Sequence, residues 1–207
     1  MQVLHHDRWI VVYDKPCGLL SVPGIGPEKA DCLVARAQGE FPGARIVHRL
    51  DRDTSGVIVL ALDADTHREL SRQFQDRETE KTYEALAGGH AAFDEGLIDL
   101  PLRKNALGSA IQIVDPELGR PAQTRYRVLE RLSSPNRTRF ELKPITGRSH
   151  QLRVHLASLG HPILGDELYA PPELHALSPR LALHARVLVV THPATRVRMS
   201  FSAPCPF

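Results

Sequence analysis

The residues most able to do chemistry are concentrated in one polar nonapeptide, residues 48–56. Asp51 stands there between Arg49 and Arg52, and a second carboxylate, Asp53, follows. An aspartate can act as a nucleophile or as a general acid or base, and a nearby guanidinium favours its ionised form. Asp51 is therefore a candidate catalytic residue, although its spacing alone favours an ordinary loop carboxylate paired with Arg49 or Arg52.

The apolar run that follows the nonapeptide predicts the element that positions it. Residues 57–62 read Val-Ile-Val-Leu-Ala-Leu and are bounded by Gly56 and Asp63. A short apolar run rich in β-branched residues is typical of a strand buried on both faces. The nonapeptide is then the loop that leads into this strand, where the backbone is held while side chains stay accessible.

Composition predicts a single globular unit, residues 1–207. The chain has 42% hydrophobic and 24% charged residues, no apolar segment long enough for a membrane helix and no signal-peptide core, which favours a cytoplasmic location. Three widely spaced cysteines predict free thiols. His150 and His155 lack the spacing of a helical zinc site, so we expect structural or RNA-contacting histidines and no metal.

Positive charge is unevenly distributed, although the net charge is only +2. Residues 51–119 carry fourteen acids and seven bases, whereas residues 120–153 carry nine bases and two acids. Arginine outnumbers lysine 21 to 5. A GC-rich genome explains this ratio, but it does not explain the clustering of bases in residues 120–153. Guanidinium groups bind phosphates and stack on bases, so the second segment predicts RNA binding that weakens steeply with salt.

Hydrophobic periodicity predicts the remaining elements. We expect strands at 9–13, 82–87, 123–131, 138–143, 181–190 and 196–201, a weak helix at 31–40, a helix to about Gln75 opened by a capping box at 66–69, and a helix after Arg148. Residues 88–120 read as an excursion hairpin with short strands at 97–100 and 111–114. In the last two strands, Leu183, Val187, Val197, Met199 and Phe201 are expected in the core.

Two residues outside the nonapeptide are further candidates. Alternation in strand 82–87 places Tyr83 on one face with Ala85 and Ala87, so its ring has space in front of it; a core tyrosine is an equally good interpretation. Arg148 stands at the start of a helix, where a cation is unfavourable, and this suggests an outside carboxylate or phosphate as its partner. That helix is expected to bury Leu152, Leu156 and Leu159.

The segment HRLDRDTSGVIVLA, residues 48–61, resembles the signature of the RluA-type pseudouridine synthases. The resemblance extends to KPCGLLSVPG at 15–24, KTYEALAGG at 81–89, PAQTRY at 121–126, residues 142–170 and LALHARVLVVTHP at 181–193. It implies an α+β pseudouridine synthase fold: a mixed, mostly antiparallel central sheet flanked by helices and loops, with an active-site cleft across the sheet. Because the first predicted strand begins at Trp9, we expect no N-terminal S4-type RNA-binding module.

The same resemblance assigns roles to particular residues. Asp51 corresponds to the catalytic aspartate, Arg148 to the arginine that pairs with it, and Tyr83 to a tyrosine that stacks on the target base and helps to move a proton. Arg49 corresponds to the arginine that fills the RNA stack after base flipping, although the residues alone favour a salt bridge from Arg49 to Asp53. The loop geometry and the pocket wall are assigned to His48, Leu50, Thr54, Ser55 and Gly56.

The implied reaction breaks the bond from ribose C1′ to the uracil nitrogen, rotates the base and reattaches it through carbon. No redox change is involved, so no cofactor is expected. Whether the aspartate adds to C1′, adds to the base or removes a ribose proton stays open at this point; the family resemblance favours the last.

The resemblance also implies RNA partners for a monomeric enzyme. They are a uridine in a 23S rRNA hairpin loop and position 32 in the tRNA anticodon stem-loop; another tRNA site is the alternative. Two other classes of protein compete with this interpretation. A glycoside or nucleoside hydrolase would use Asp51 with Asp53 as paired carboxylates, and a non-catalytic RNA-binding module would need only the basic surface.

Overall fold

The computed structural model describes residues 1–106 and 109–207, which form two compact units. The first unit comprises Met1–Lys81 and His184–Pro206, and the second comprises Thr82–Leu183 with Phe207. The single catalytic domain expected over residues 1–207 stays a prediction.

The helices and strands are as follows in chain order. The strands are β1 (Gln2–His6), β2 (Ile10–Lys15), β3 (Arg45–Ile46), β4 (Ser55–Ala61), β5 (Glu80–Gly88), β6 (Glu95–Asp99), β7 (Leu102–Lys104), β8 (Gln112–Val114), β9 (Gln123–Leu132), β10 (Arg137–Pro144), β11 (Leu183–Thr191) and β12 (Arg198–Ser202). The helices are α1 (Leu33–Glu40), α2 (Ala64–Gln75), α3 (Gln151–Ser158) and α4 (Pro172–His175), with a 3-10 turn at Pro27–Lys29. The fold class is α+β, as predicted.

Strand β4 is the centre of the first unit, and all seven of its residues are buried. It pairs antiparallel with β2 and β3 and parallel with β11, so this part of the sheet is mixed. Strand β1 pairs with β2, and β12 pairs with β11, both antiparallel. The prediction of a strand buried on both faces is confirmed, whereas β1 was not predicted.

One face of β4 packs against α2. Val57, Val59 and Ala61 form a core cluster with Leu70 of that helix and with residues of β11 and β12. The helix begins earlier than predicted, because Asp63 is its N-cap and accepts a hydrogen bond from the backbone N–H of Thr66 at 2.8 Å. The capping box predicted at 66–69 is therefore wrong.

The second unit is an antiparallel sheet in the order β5, β10, β9, β6, covered by α3. The β9–β10 hairpin is confirmed. In β5, Ala85 and Ala87 are fully buried, as is most of Leu86 on the other face of the strand. They belong to a core cluster with Leu152 and Leu156 of α3.

Several sequence-based expectations need correction. Strands β6 and β8 do not form one excursion hairpin: β6 pairs with β9, and β8 pairs with β7, while residues 107 and 108 of that excursion lie outside the described residues. Leu159 and Val197 are 41% and 58% exposed and are not core residues, because α3 ends at Ser158 and β12 begins only at Arg198. Val187 and Met199 are half-buried.

Candidate active site

The loop before β4 makes a tight turn at Asp51. The backbone N–H of Thr54 donates to the carbonyl oxygen of Asp51 at 3.2 Å, which places Arg52 and Asp53 at the tip of the turn. The Asp53 carboxylate accepts two hydrogen bonds from the Arg52 guanidinium, at 2.9 and 3.1 Å. The tip thus contains an ion pair between Arg52 and Asp53, and Asp51 is the carboxylate of this loop that is not part of it.

Two buried side chains hold the backbone on either side of Asp51. The Ser21 hydroxyl donates to the carbonyl of Leu50 at 2.7 Å and accepts from its N–H at 3.1 Å. The Lys15 ammonium, fully buried, donates to the carbonyl of Arg52 at 2.8 Å and to two carbonyls of its own segment, those of Pro16 and Leu19. Buried hydrogen bonds of this kind fix a loop because breaking them leaves polar groups unsatisfied.

Sequence reasoning missed the role of Lys15 and Ser21. Lys15 is the last residue of β2 and Ser21 lies in the loop that follows, and both belong to the segment 15–24 of the family resemblance, to which no role was assigned. The available signal is Lys15 itself, the last residue of a strand that begins with the buried residues Ile10, Val11, Val12 and Tyr13. A lysine is almost never fully buried unless its ammonium has partners, so its position marks a built polar site.

The start of β4 is locked to β11. Ser55 Oγ lies 2.8 Å from His184 Nδ1, and both side chains are buried. Gly56 has φ +113° and pairs with Ala185; a Cβ at this position would lie 2.2 Å from the Ala185 carbonyl oxygen. Only glycine fits there, which gives Gly56 a geometric role, and Thr54 is buried just ahead of it.

His48 anchors the front of the loop against α2. Its ring stacks on Phe74 with 4.3 Å between centroids, and its Nε2 accepts the Val59 N–H at 3.2 Å. Burial, with a smaller contribution from the Lys81 charge, lowers the pKa of His48 to about 3. The ring is therefore neutral near pH 7, as an accepting Nε2 requires.

Asp51 and Arg49 are the loop residues left available. Within the described part of the first unit the half-buried Asp51 carboxylate accepts no hydrogen bond and forms no ion pair. Arg49 is exposed and forms no ion pair with residues 1–106 or 109–207, so the alternative of an Arg49–Asp53 salt bridge is wrong, because Asp53 binds Arg52.

The remaining candidates, Tyr83 and Arg148, belong to the second unit. Tyr83 is half-buried, lies opposite Leu142 in the sheet and packs against the core cluster of that unit. Arg148 precedes α3 by three residues, so the argument from the helix dipole does not apply to it. Its Nε donates to the Pro121 carbonyl at 3.1 Å. The predicted pairing of Asp51 with Arg148 stays a prediction.

Gln151 fixes the Arg148 segment, and sequence reasoning missed it. Its Oε1 accepts from the Thr146 hydroxyl at 2.7 Å and from the Arg148 N–H at 3.0 Å. Its Nε2 donates to the Gln123 carbonyl at 2.9 Å and to Thr124 Oγ1 at 3.0 Å. A buried amide that uses both its oxygen and its nitrogen in this way holds the segment to β9.

One predicted RNA-binding arginine is instead structural. The Arg153 guanidinium is buried and makes two hydrogen bonds to Asp166, at 2.7 and 2.5 Å, with the Tyr169 ring 5.0 Å away. Arg153 must therefore be removed from the nine bases expected to face RNA. The nearby histidines have ordinary partners: His150 lies 2.8 Å from the Tyr169 hydroxyl, and His155 lies 2.9 Å from the Thr124 hydroxyl.

Comparison with known proteins decides the family. The family model described as "RNA pseudouridylate synthase" matches residues 9–158, which include the Asp51 loop, Tyr83 and Arg148. The chain belongs to the RNA pseudouridylate synthase family. Pseudouridine synthases are isomerases, so the chain is an RNA-modifying enzyme, as the sequence resemblance implied.

Curated relatives of this pseudouridine synthase match it along almost its whole length. It is 53% identical over 205 residues to "Dual-specificity RNA pseudouridine synthase RluA" of Escherichia coli (strain K12), covering 99% of this chain and 93% of that protein. The Yersinia pestis protein of the same name is 53% identical over 207 residues, with 100% of both chains covered. That of Pasteurella multocida (strain Pm70) is 49% identical, covering 100% of this chain and 94% of that protein.

Solved structures agree with the family assignment. The synthase resembles human RNA Pseudouridylate Synthase Domain Containing 1 with a TM-score of 0.82 at 30% identity, covering 99% of this chain and 83% of that chain. For human RNA Pseudouridylate Synthase Domain Containing 4 the TM-score is 0.77 at 28% identity, covering 99% and 88%.

No group of three or more His, Cys, Asp or Glu side chains in residues 1–106 and 109–207 has a metal-binding arrangement. None of the helices in the same residues is long and apolar enough to cross a membrane.

Proposed function

We propose that this pseudouridine synthase isomerises uridines in two stem-loop RNAs, a 23S rRNA hairpin and the tRNA anticodon stem-loop. The observation that carries the proposal is 53% identity over nearly the whole chain to relatives named as dual-specificity RNA pseudouridine synthases. The monomeric state and the cytoplasmic location expected from the sequence belong to the same proposal. Sedimentation of the purified protein and cell fractionation test these two points.

Asp51 is the proposed catalytic residue. The geometry of its loop supports this role: the residues on both sides of it are held by Ser21 and Lys15, while its carboxylate is not used within its own unit. A reacting group gains from a backbone that is fixed and a side chain that is not already bound. The family resemblance favours removal of a ribose proton by Asp51 over its addition to C1′ or to the base.

Arg148 and Tyr83 are proposed to act with Asp51, on the strength of the family resemblance of their motifs. Arg148 would keep the aspartate ionised, and Tyr83 would stack on the base and accept the proton from C5 after rotation. Gln151 supports the first role because it holds the Arg148 segment in place. Conversion of Arg148 to Lys keeps the charge but loses the planar fork, so it tests the pair without removing the cation.

Arg49 is proposed to enter the RNA stack when the target uridine is extruded. Its exposure and its lack of an ion pair with the described residues support this role, because no protein contact has to be broken first. Extrusion costs a few kcal/mol, which a planar guanidinium stacked on the neighbouring bases offsets in part. The variant Arg49→Ala should raise KM and lower kcat, whereas a purely structural arginine would change neither.

The decisive experiment for catalysis compares the wild type with Asp51→Asn and Asp51→Ala. Both variants should bind a synthetic anticodon stem-loop with unchanged affinity and form no pseudouridine, since the carboxylate is lost while the RNA surface is intact. A hydrolase would release free uracil, whereas an isomerase leaves the RNA mass unchanged. If Asp51→Ala still forms pseudouridine, the assignment of Asp51 is wrong.

The RNA targets need a separate experiment in cells. Carbodiimide-dependent primer extension on RNA from a deletion strain should show the loss of one pseudouridine in 23S rRNA and of one in the tRNA anticodon arm. Loss at only another tRNA site would replace the dual assignment with the alternative target. Loss at no site would overturn the proposal.

A further inference from the structure

Three cations of the first unit that lie close to His48 or Phe74, in the chain or in space, have no carboxylate partner among the described residues. Arg49 follows His48 in the chain; Arg77 lies three residues beyond Phe74, on which that ring stacks; and the Lys81 charge reaches His48 closely enough to affect its pKa. None of the three forms an ion pair or a hydrogen bond through its side chain with residues 1–106 or 109–207. We call Arg49, Arg77 and Lys81 the first-unit cation cluster.

The carboxylates near this cluster are already bound to other arginines. Arg72 lies within 3.1 Å of Glu69, Asp76 and Glu78. Arg196 also binds Glu69, at 2.8 Å, and Arg198 binds Glu80, at 2.7 Å. All four acids between residues 69 and 80 are therefore already in contact with one or two of these three arginines, and none of them forms an ion pair with Arg77 or Lys81.

Arg77 adopts a backbone conformation that arginine rarely chooses. It follows the C-cap residue of α2, Asp76, with φ +62°, in the left-handed region where glycine or asparagine usually ends a helix. An L side chain there costs about 1–2 kcal/mol. A long cationic side chain at a position that glycine would fill more easily points to a use for that side chain outside the fold.

Lys81 is partly enclosed as well as unpaired. Burial lowers its pKa, and the like charge of Arg77 lowers it further. Two neighbouring cations without a counterion repel each other, and an anion placed between them would relieve both effects. Phosphate is the anion that an RNA-modifying enzyme meets at high density.

We propose that Arg77 and Lys81 bind consecutive backbone phosphates of the stem-loop substrate, on the flank of the loop that carries Arg49 and Asp51. The inference rests on the proposed function and deepens it, because it names the surface that holds the RNA backbone. These contacts read no sequence; they set the register of the RNA so that one nucleotide faces the loop. They should therefore act equally on both proposed RNA targets.

The test measures the dissociation constant for a synthetic anticodon stem-loop and for a stem-loop with no uridine in its loop, over a range of KCl concentrations. The variants are Arg77→Gly, Lys81→Gln and the charge-retaining Lys81→Arg. The matched control is Arg68→Gln, an exposed arginine on α2 that is paired with Asp65. Tritium release from 5-tritiated uridine in the first RNA gives kcat and KM.

Arg77→Gly and Lys81→Gln should each weaken binding of both RNAs by about three- to ten-fold and reduce the slope of log affinity against log salt by about one. KM should rise in proportion while kcat changes by less than about two-fold, because phosphate contacts act before the chemical step. Lys81→Arg and Arg68→Gln should behave like the wild type.

Three outcomes would overturn the inference. The first is an unchanged dissociation constant and salt slope in Arg77→Gly. The second is an equal loss in Arg68→Gln, which would mean that any surface charge has the same effect. The third is a fall of kcat at constant KM in Lys81→Gln, which would show that Lys81 acts through the His48 loop. In each case the wild type still forms pseudouridine; if it forms none in any RNA, the proposed function itself has failed.

Discussion

The two arginine- and lysine-rich regions of this synthase differ in whether their charges are already neutralised. On the β9–β10 hairpin, Arg127 lies 3.3 Å from Glu141, Arg131 lies 2.7 Å from Asp94, and Arg139 lies 3.7 Å from Glu84. The first-unit cation cluster has no such pair among the described residues. The sequence contains more positive charge in the hairpin region, but a charge paired with a carboxylate presents little net field to RNA.

The largest expected effect concerns Arg153, the most completely neutralised arginine of the second unit. Arg153→Ala leaves the buried Asp166 carboxylate without its partner, so it should lower the free energy of unfolding by about 3–5 kcal/mol. Arg127→Ala, which breaks a pair exposed to solvent, should cost less than about 1 kcal/mol. Urea denaturation measures both.

The difference in unfolding free energy between Arg153→Ala and Arg127→Ala tests whether Arg153 serves the fold or the RNA surface. If Arg153→Ala is as stable as Arg127→Ala and weakens RNA binding instead, then Arg153 faces RNA and the structural role given to it is wrong. The conservative Asp166→Asn keeps the shape of the pair, so it should lower the free energy of unfolding by less than Arg153→Ala does. It should still be less stable than the wild type, because the charge of Arg153 then stays buried and uncompensated.

The basic segment at 120–153 shows what sequence reasoning reaches and where it fails. The hairpin and its exposed Arg125 and Arg127 follow from alternation, which is a local property. The partners of Arg131 and Arg153 cannot be predicted from alternation. Asp94 lies 37 residues before Arg131, and the Arg153–Asp166 pair requires the turn after α3. Charge counts along the chain cannot show which bases are used inside the fold.

The second prediction concerns the first unit, where the free energy of unfolding should depend on pH through His48. The folded-state pKa of His48 is about 3, below the ordinary value of 6.5, so the unfolded chain binds this proton first as the pH falls. The stability that depends on a neutral His48 is complete above pH 6.5 and is lost progressively toward pH 3. Between pH 7 and pH 5 the free energy of unfolding should fall by about 2 kcal/mol for this group.

The matched variant for that measurement is His48→Asn, which has no titrating ring. Its unfolding free energy should lack this 2 kcal/mol difference between pH 7 and pH 5, although the variant is less stable at both. Removal of the neighbouring charge in Lys81→Gln should raise the pKa of His48, which NMR titration of the ring detects. An unchanged pKa would place Lys81 too far from His48 for the proposed cluster.

The third prediction concerns Arg77, for which fold and function should change in opposite directions. Because glycine adopts φ +62° without steric cost, Arg77→Gly should raise the free energy of unfolding by about 1 kcal/mol while RNA binding weakens. Arg77→Ala lacks the same charge but keeps a Cβ, so it should weaken binding without the gain in stability. A stability loss in Arg77→Gly would mean that the side chain serves the fold.

The active-site loop gives a second lesson on prediction from sequence. Its place before a buried strand and the importance of Asp51 followed from the apolar run and the family resemblance. The roles of Ser21 and Lys15 in holding this loop could not be predicted. They bind backbone groups 29 and 37 residues away, and backbone acceptors have no sequence signature. The geometric need for Gly56 likewise arises from β11, more than a hundred residues later in the chain.

The smallest expected effect belongs to the paired charges of the hairpin. Arg127 and Lys143 both lie against Glu141, at 3.3 and 3.5 Å, so Arg127→Gln and Lys143→Gln should each change the RNA dissociation constant by less than about two-fold. The comparison residue is Arg125, which is exposed on the same strand and has no ion pair among residues 1–106 and 109–207. Arg125→Gln should weaken binding more than Arg127→Gln if pairing decides which charges reach RNA. Should all three hairpin variants weaken binding as much as Arg77→Gly, then position rather than pairing governs the RNA surface, and the backbone contacts assigned to the first unit would have to be shared with the hairpin.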